Sequence, residues 1–310
     1  MTPLPSPQQL RYLLTLADTR HFGRAANVCA VTQSTLSAGL LALERQLDAA
    51  ILDRSAGKRV VFTPLGRELV ERARAAMTAL EAVGEAAQAA RAPLSGPLRL
   101  GLIPTIGPFL LPRLMPAIRA AFPRLRLYLR EDLTPRLVED LENARLDVLL
   151  LALPCACPGA ESLAVARDEF LAALPQGHPL AGDAAVPAAL LAAERLLLLE
   201  DGHCLRDQAL AVCGMRTGAD GFAATSLHTL TQMVAGGLGV TLLPRLAVEA
   251  GIARDAGLEI RPLAGAGAWR TIGLLWRANA PRADEYRALA PVIAAAMDPP
   301  AAHGCEPPAG

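Results

Sequence analysis

Two cysteines nine positions apart, Cys204 and Cys213, lie in the run Leu198–Gly214, LLEDGHCLRDQALAVCG. The apolar stretch up to Glu200 reads as a strand end, Gly202 as a turn, and Cys204 as the start of a helix. That placement bears on reactivity, because the thiolate is the nucleophilic form and helix N-termini and nearby cations favour it. His203, Arg206 and Arg270 are the candidate cations. Two ordinary buried cysteines would show the same spacing, and the residues alone leave both readings open. Of the remaining cysteines, Cys29 falls in a turn between short helices and reads as core filler, and Cys305 lies on the C-terminal tail. Cys155-Ala156-Cys157 has no matching second pair and only His178 as a lone partner, so no metal is expected. In a cytosolic chain of 310 residues, all six cysteines should rest as thiols and not as a disulfide scaffold.

A second constellation could read DNA. Thr32 is a good N-cap for a helix whose leucines, Leu36, Leu40, Leu43 and Leu47, form one stripe. Gln33, Ser34, Thr35 and Ser37 occupy its first turns on the other side. Short polar side chains there can reach base edges in a major groove while backbone amides meet phosphate. Arg54, Lys58 and Arg59 flank a Gly57 turn before Val60-Val61-Phe62, a short β-wing whose cations would contact phosphates. Residues 1–63 carry seven basic against four acidic side chains, a local excess of +3 in a chain of net charge +0.

These groups need elements to position them. Leu10, Leu13, Leu14 and Ala17 predict a first helix, and Phe22, Ala25, Ala26 and Val28 a second. Thr63-Pro64 predicts the start of a long helix to Arg91, about 42 Å at ~1.5 Å per residue. Its Leu69, Ala73, Ala76, Leu80, Val83 and Ala87 alternate steps of four and three, a seam for pairing with a second copy. Ser95-Gly96-Pro97 reads as a linker. Beyond it strands and helices alternate, which predicts parallel sheets flanked by helices. Strands are expected at 98–103, 125–131, 146–153, 170–174, 196–200, 240–243, 258–262 and 271–276. Helices are expected at 108–121, 135–145, after Cys204, and at 226–236 and 283–297. Crossings near Arg167 and Trp269 would join two lobes around a cleft. The expected domains are 1–63 for DNA, 64–92 as linker helix and 93–300 as the two-lobed domain. Lobe I spans about 97–167 and 268–300, lobe II about 168–267, and 301–310 form a disordered tail. The N-terminus shows no charged-then-apolar leader, and the longest uncharged stretch, Gly221–Pro244, is too polar to span a membrane. A cytoplasmic protein without membrane contact is therefore expected.

Residues 8–67, with QQLRYLLTLADTRHFGRAANVCAVTQSTLSAGLLALERQL followed by LDR and FTPLG, resemble the winged helix-turn-helix of LysR-type transcription regulators. The Leu198–Gly214 run is similar to the active-site segment of the peroxide-sensing branch of that family. So are GLIPTIGPFLLP (Gly101–Pro112), the residues around Asp147, the Ala224–Pro244 segment and RTIGLLWR (Arg270–Arg277). The resemblance implies an all-α winged helix-turn-helix, a long linker helix and an α/β two-lobed regulatory domain like type 2 periplasmic binding proteins. It implies a DNA-binding activator, not an enzyme, that uses no cofactor and senses hydrogen peroxide. Cys204 would be peroxidatic and Cys213 resolving, with Thr105, Thr134, His203, Asp207 and Arg270 lining the peroxide pocket. Implied partners are promoter DNA, further copies of the chain as homodimer and homotetramer, RNA polymerase, and a reductant such as glutaredoxin or thioredoxin. A LysR-type regulator answering a small organic effector in the interlobe cleft is the alternative, separated by the reactivity of Cys204. The sequence departs from the family pattern at Gly39-Leu40-Leu41 and at Asp48-Ala49-Ala50, and the stretch from Cys213 to Thr225 is short.

Overall fold

A computed structural model of the chain describes residues 4–53, 59–89, 94–216, 223–265 and 268–298. The chain divides into two compact units, Met1–Arg91 and Ala92–Gly310.

In the first unit, α1 (Pro7–Thr19) starts on a capping box in which the Ser6 hydroxyl accepts from the Gln9 amide and the Gln9 side chain accepts from Ser6. It is followed by α2 (Phe22–Val28) and α3 (Gln33–Leu47). The predicted stripes do bury: Leu13, Leu16, Ala25, Ala26, Leu36, Leu40 and Leu43 share one core with Ile51 and Phe62. Among the described residues the wing shows an antiparallel bridge, Leu52 to Phe62, and its turn at 54–58 lies outside them. Thr63 caps α4 (Pro64–Ala89) by accepting from the Gly66 amide at 2.8 Å. The heptad seam is split. Ala73 is buried and Leu69 is partly buried on the helix-turn-helix core, whereas Leu80 and Val83 are 49% and 71% exposed. The side chain of Ala87 lies outside the described residues.

The second unit is built on a mixed sheet. Strands β1 (Gly96–Leu102), β2 (Leu125–Glu131) and β3 (Val148–Leu153) are parallel, with β1 between the other two. Beyond them the main sheet turns antiparallel. β4 (Ala160–Leu174) is a fifteen-residue strand that runs antiparallel to β9 (Trp269–Arg277), β7 (Thr241–Pro244) and β8 (Glu259–Pro262). It pairs with β9 as far as Glu169 and with β7 and β8 from Phe170 or Leu171 onward, so one strand serves both halves of the unit. A long strand can change partners in this way without any break that a period-2 pattern would mark. A small parallel pair, β5 (Leu198–Leu199) and β6 (Ala223–Ala224), leads into the cysteine helix. Gly96 and Pro97, expected in a linker, open β1, because their backbones pair with Leu125 and Arg126.

Helices cover the sheets: α5 (Gly107–Ala121), α6 (Thr134–Glu142), α7 (Ala188–Ala193), α8 (Cys204–Val212), α9 (Leu227–Ala235), α10 (Arg245–Glu249), α11 (Ile252–Asp255) and α12 (Ala283–Met297). The core includes all of Val148–Leu151 together with Leu98, Leu110, Leu114, Leu242, Leu243, Ile272 and Leu274.

Candidate redox site and DNA-reading face

The C-terminal rim of the parallel strands carries the two threonines. Leu102 of β1 stands opposite Glu131 of β2, and Thr105 and Thr134 each follow three residues later. They thus leave neighbouring strands at the same edge, where open α/β sheets bind ligands. Thr105 precedes α5, and Thr134 is the first residue of α6. The Thr134 hydroxyl oxygen is buried and has no hydrogen-bond partner. A buried hydroxyl left unpaired is costly, so this one is suited to a small polar guest.

Cys204 is the first residue of α8, partly exposed and packed at the edge of the core. The turn before it uses Gly202 at φ +94°, and a Cβ there would stand 3.2 Å from Leu133, the residue before Thr134. The start of α8 therefore abuts the start of α6. The amides of the first turn of α8 lack helical carbonyl partners, and Cys204 stands at that end of the helix. Cys213 lies at the other end of α8, 7% exposed, and burial pushes its thiol pKa up. The five described cysteines, Cys29, Cys155, Cys157, Cys204 and Cys213, are free.

The cations behave differently from the sequence expectation. His203 is buried, and burial holds its pKa below the usual imidazole value, opposed by a bond to the Thr225 backbone and the charge of Glu200. It is therefore a neutral neighbour of Cys204 at pH 7 and not a counter-charge. Arg206 is engaged by Asp201 at 2.9 Å and donates to the Leu199 carbonyl at 3.0 Å. Arg270 is fully buried. Its Nε donates to Asp168 Oδ2 at 2.9 Å, its Nη1 to the Thr105 hydroxyl at 2.8 Å, and its Nη2 to the Thr105 carbonyl at 2.9 Å. Arg270 thus orients Thr105 and spends its charge on Asp168. Asp207 is exposed and makes no hydrogen bond or ion pair among the described residues, so the structure does not bring it into the pocket.

Sequence reasoning missed two residues. Asp168 is paired with Arg270 across β4 and β9, is 3% exposed, and accepts from the Leu246 amide at 3.0 Å. Nothing local marks a carboxylate whose partner is 102 positions away. Gln208, one turn beyond Cys204 on α8, has a buried Oε1 without a partner. Its i, i+4 spacing from Cys204 was the available signal.

On the first unit, Gln33, Ser34, Thr35 and Ser37 are all exposed at the start of α3, while Leu36 and Leu40 face the core. Thr32 Oγ1 accepts from the Thr35 amide at 3.2 Å and shares hydrogen bonds with the Ser34 and Thr35 hydroxyls. A Cβ at Gly39 would meet the Tyr12 ring at 2.7 Å, so glycine there lets α3 lie close against α1. Arg59 is exposed, and Arg54 and Lys58 lie outside the described residues.

This two-unit arrangement defines a class. Residues 7–67 match the bacterial regulatory helix-turn-helix of the lysR family, residues 91–298 match the LysR substrate binding domain, and the chain belongs to the LysR family of regulators. Among its relatives is the DNA-binding transcriptional dual regulator OxyR of Escherichia coli strain K12, 43% identical over 94% of this chain and 95% of the relative. The fold is similar to a cysteine-to-aspartate variant of full-length OxyR from Pseudomonas aeruginosa, at TM-score 0.77 and 36% identity over 94% of this chain and 98% of that one. It is also similar to a cysteine-to-serine variant of Corynebacterium glutamicum OxyR with hydrogen peroxide bound, at TM-score 0.65 and 32% identity over 96% and 94% of the two chains. Among the described residues, no single helix is long and apolar enough to cross a membrane.

Proposed function

We propose that this chain is a cytoplasmic transcription regulator that senses hydrogen peroxide through Cys204 and stores the signal as a Cys204–Cys213 disulfide. The observation that carries this reading is the site itself: a partly exposed thiol at the N-terminus of α8, beside the start of α6 with its orphan Thr134 hydroxyl. The similarity to OxyR chains over more than nine-tenths of the length supports it. Peroxide would be held by the Thr105 and Thr134 hydroxyls, with Gln208 close by and His203 able to exchange a proton as a neutral imidazole. The Cys204 thiolate attacks one peroxide oxygen, the O–O bond breaks, and water leaves once the departing hydroxide is protonated. Cys213 then attacks the sulfenic sulfur and a second water leaves.

Residues 1–63 would hold promoter DNA, with Gln33, Ser34, Thr35 and Ser37 at base edges and Arg54, Lys58 and Arg59 at phosphates. Residues 64–92 would pair two copies, and residues 93–300 would carry the sensor, with lobes divided as expected above and 301–310 a tail. Leu80 and Val83, exposed on α4, favour that pairing. Dimers would assemble into a homotetramer that engages RNA polymerase and is reset by glutaredoxin or thioredoxin. The test is non-reducing peptide mapping after stoichiometric peroxide, together with promoter output from wild type and Cys204→Ser. A Cys204–Cys213 peptide and a silent Cys204→Ser are expected. An unchanged peroxide response in Cys204→Ser would overturn the reading in favour of an organic effector.

A further inference from the structure

Cys155 has no part in the switch described above, yet it leaves the sheet at the rim where the switch residues lie. It lies two residues past the end of β3, in the irregular segment before β4. β3 is parallel to β1, so Cys155 leaves the sheet at the same C-terminal rim as Thr105 and Thr134. The next strand over is β9, where Leu153 stands opposite Thr271, the neighbour of Arg270. Cys155 is partly buried and packs against the same apolar cluster as Cys204. The two sulfurs are close enough that a charge on Cys204 helps raise the Cys155 pKa, after burial and the neighbouring Cys157.

We propose that Cys155 is a second resolving thiol for Cys204. This rests on the reading of Cys204 as the peroxide-reactive residue. Once peroxide has converted Cys204 to a sulfenic acid, Cys155 Sγ attacks Cys204 Sγ. The S–S bond forms as the S–O bond breaks, and the departing hydroxide takes the Cys155 proton to leave as water. Balance is complete: peroxide is the oxidant, both thiols are oxidised, and two waters are produced over the two steps. The structural consequence separates this bond from the Cys204–Cys213 bond. Cys155 sits in an irregular segment, so closing on Cys204 adjusts that segment and leaves α8 wound. Cys213 can reach Cys204 only if α8 opens. The Cys155 bond therefore protects the sulfenic acid from further oxidation without the backbone change that would carry a signal.

The experiment uses the full chain as wild type, Cys155→Ser, Cys213→Ser and the Cys155→Ser/Cys213→Ser double variant. Each is given stoichiometric peroxide, probed with dimedone and mapped without reductant. In Cys213→Ser a Cys204–Cys155 peptide within one chain is expected, with no dimedone adduct and with amide protection of residues 205–212 retained. In the double variant that peptide is lost and the Cys204 dimedone adduct accumulates. Cys155→Ser should still form Cys204–Cys213, which shows that it folds. A persistent dimedone adduct in Cys213→Ser, equal to that of the double variant, would overturn the proposal, as would a Cys204–Cys157 bond in place of Cys204–Cys155. Failure of wild type to oxidise at Cys204 at all would instead strike the proposed function.

Discussion

Closing the Cys204–Cys213 bond must dismantle α8, and the cost of doing so sets the potential of the switch. The two cysteines are nine positions apart on a helix that is continuous from Cys204 to Val212, so their Cα atoms stand about 13 Å apart at ~1.5 Å per residue. A disulfide requires about 7 Å or less. Rotamers cannot supply the difference. Opening α8 removes Leu205 and Leu210, 2% and 8% exposed, from the core. At about 1.5–3 kcal/mol for each such side chain, the oxidised form carries a penalty of about 3–6 kcal/mol. For a two-electron couple in which 30 mV corresponds to about 1.4 kcal/mol, the potential rises by about 65–130 mV above that of an unstrained bond. Leu210→Ala tests the account. It removes packing that only the reduced conformation possesses, at about 2 kcal/mol, the low end for a core Leu→Ala. Since the oxidised form has already lost that packing, the variant's disulfide should be about 40 mV more reducing than wild type. Glutathione redox titration read by non-reducing peptide mapping measures the shift, and thermal melts should show destabilisation of the reduced form alone. A potential that is unchanged or higher, with the Cys204–Cys213 bond confirmed, would refute the reasoning.

Other expectations concern the pocket, the dimer, DNA and pH. Thr134→Val should slow Cys204 oxidation at an unchanged melting temperature, because the hydroxyl it removes has no partner. Arg270→Ala should instead cost about 3–5 kcal/mol in denaturant titration by leaving Asp168 a buried, uncompensated charge, so it cannot serve as a clean kinetic variant. Leu80→Glu with Val83→Glu should weaken self-association, and sedimentation showing wild type itself as a 32.5 kDa monomer at micromolar concentration would count against a dimer through α4. In fluorescence anisotropy, Gln33→Ala should cost about 1–3 kcal/mol on the cognate site only. Arg59→Ala should weaken all sequences and reduce the salt slope by about one. Equal losses on specific and random DNA for both would remove Gln33 from the base-reading set. The lowered pKa of His203 means that the folded chain binds fewer protons there than the unfolded chain. Stability from this residue is therefore full above the ordinary value of 6.5 and declines as pH falls below it. Calorimetry from pH 7.5 to 5.5 should show a steeper loss of melting temperature for wild type than for His203→Gln.

Local chemistry made much of this protein legible in advance. Caps at Thr32 and Thr63, the leucine stripe of α3 and the start of α8 depend on hydrogen bonds and sterics acting within about four residues, and such signals are written in consecutive residues. The same locality explains the misses. The heptad period on α4 is a real pattern, but its first half is spent on the helix-turn-helix core, which only three-dimensional packing could decide. Periodicity could not show that β4 runs antiparallel and changes partners, because side chains alternate identically in either direction.

For the site, residue types and spacing marked Cys204 and Cys213 as candidates with their role left open, and the family resemblance alone pointed to Thr105 and Thr134. Tertiary structure decided the environment of each. Burial makes His203 a neutral neighbour, and Asp168 claims the charge of Arg270 from 102 positions away. Asp207 turns to solvent although it is three residues from Cys204. Strand order brings Cys155 to the rim that carries Thr105 and Thr134, 49 positions before Cys204 in a sequence where nothing links the two. Helix and cap signals are short-ranged because the backbone bonds that express them are short-ranged. Charge compensation and thiol proximity are set by which distant strands share an edge, and that is a property of the packed sheet.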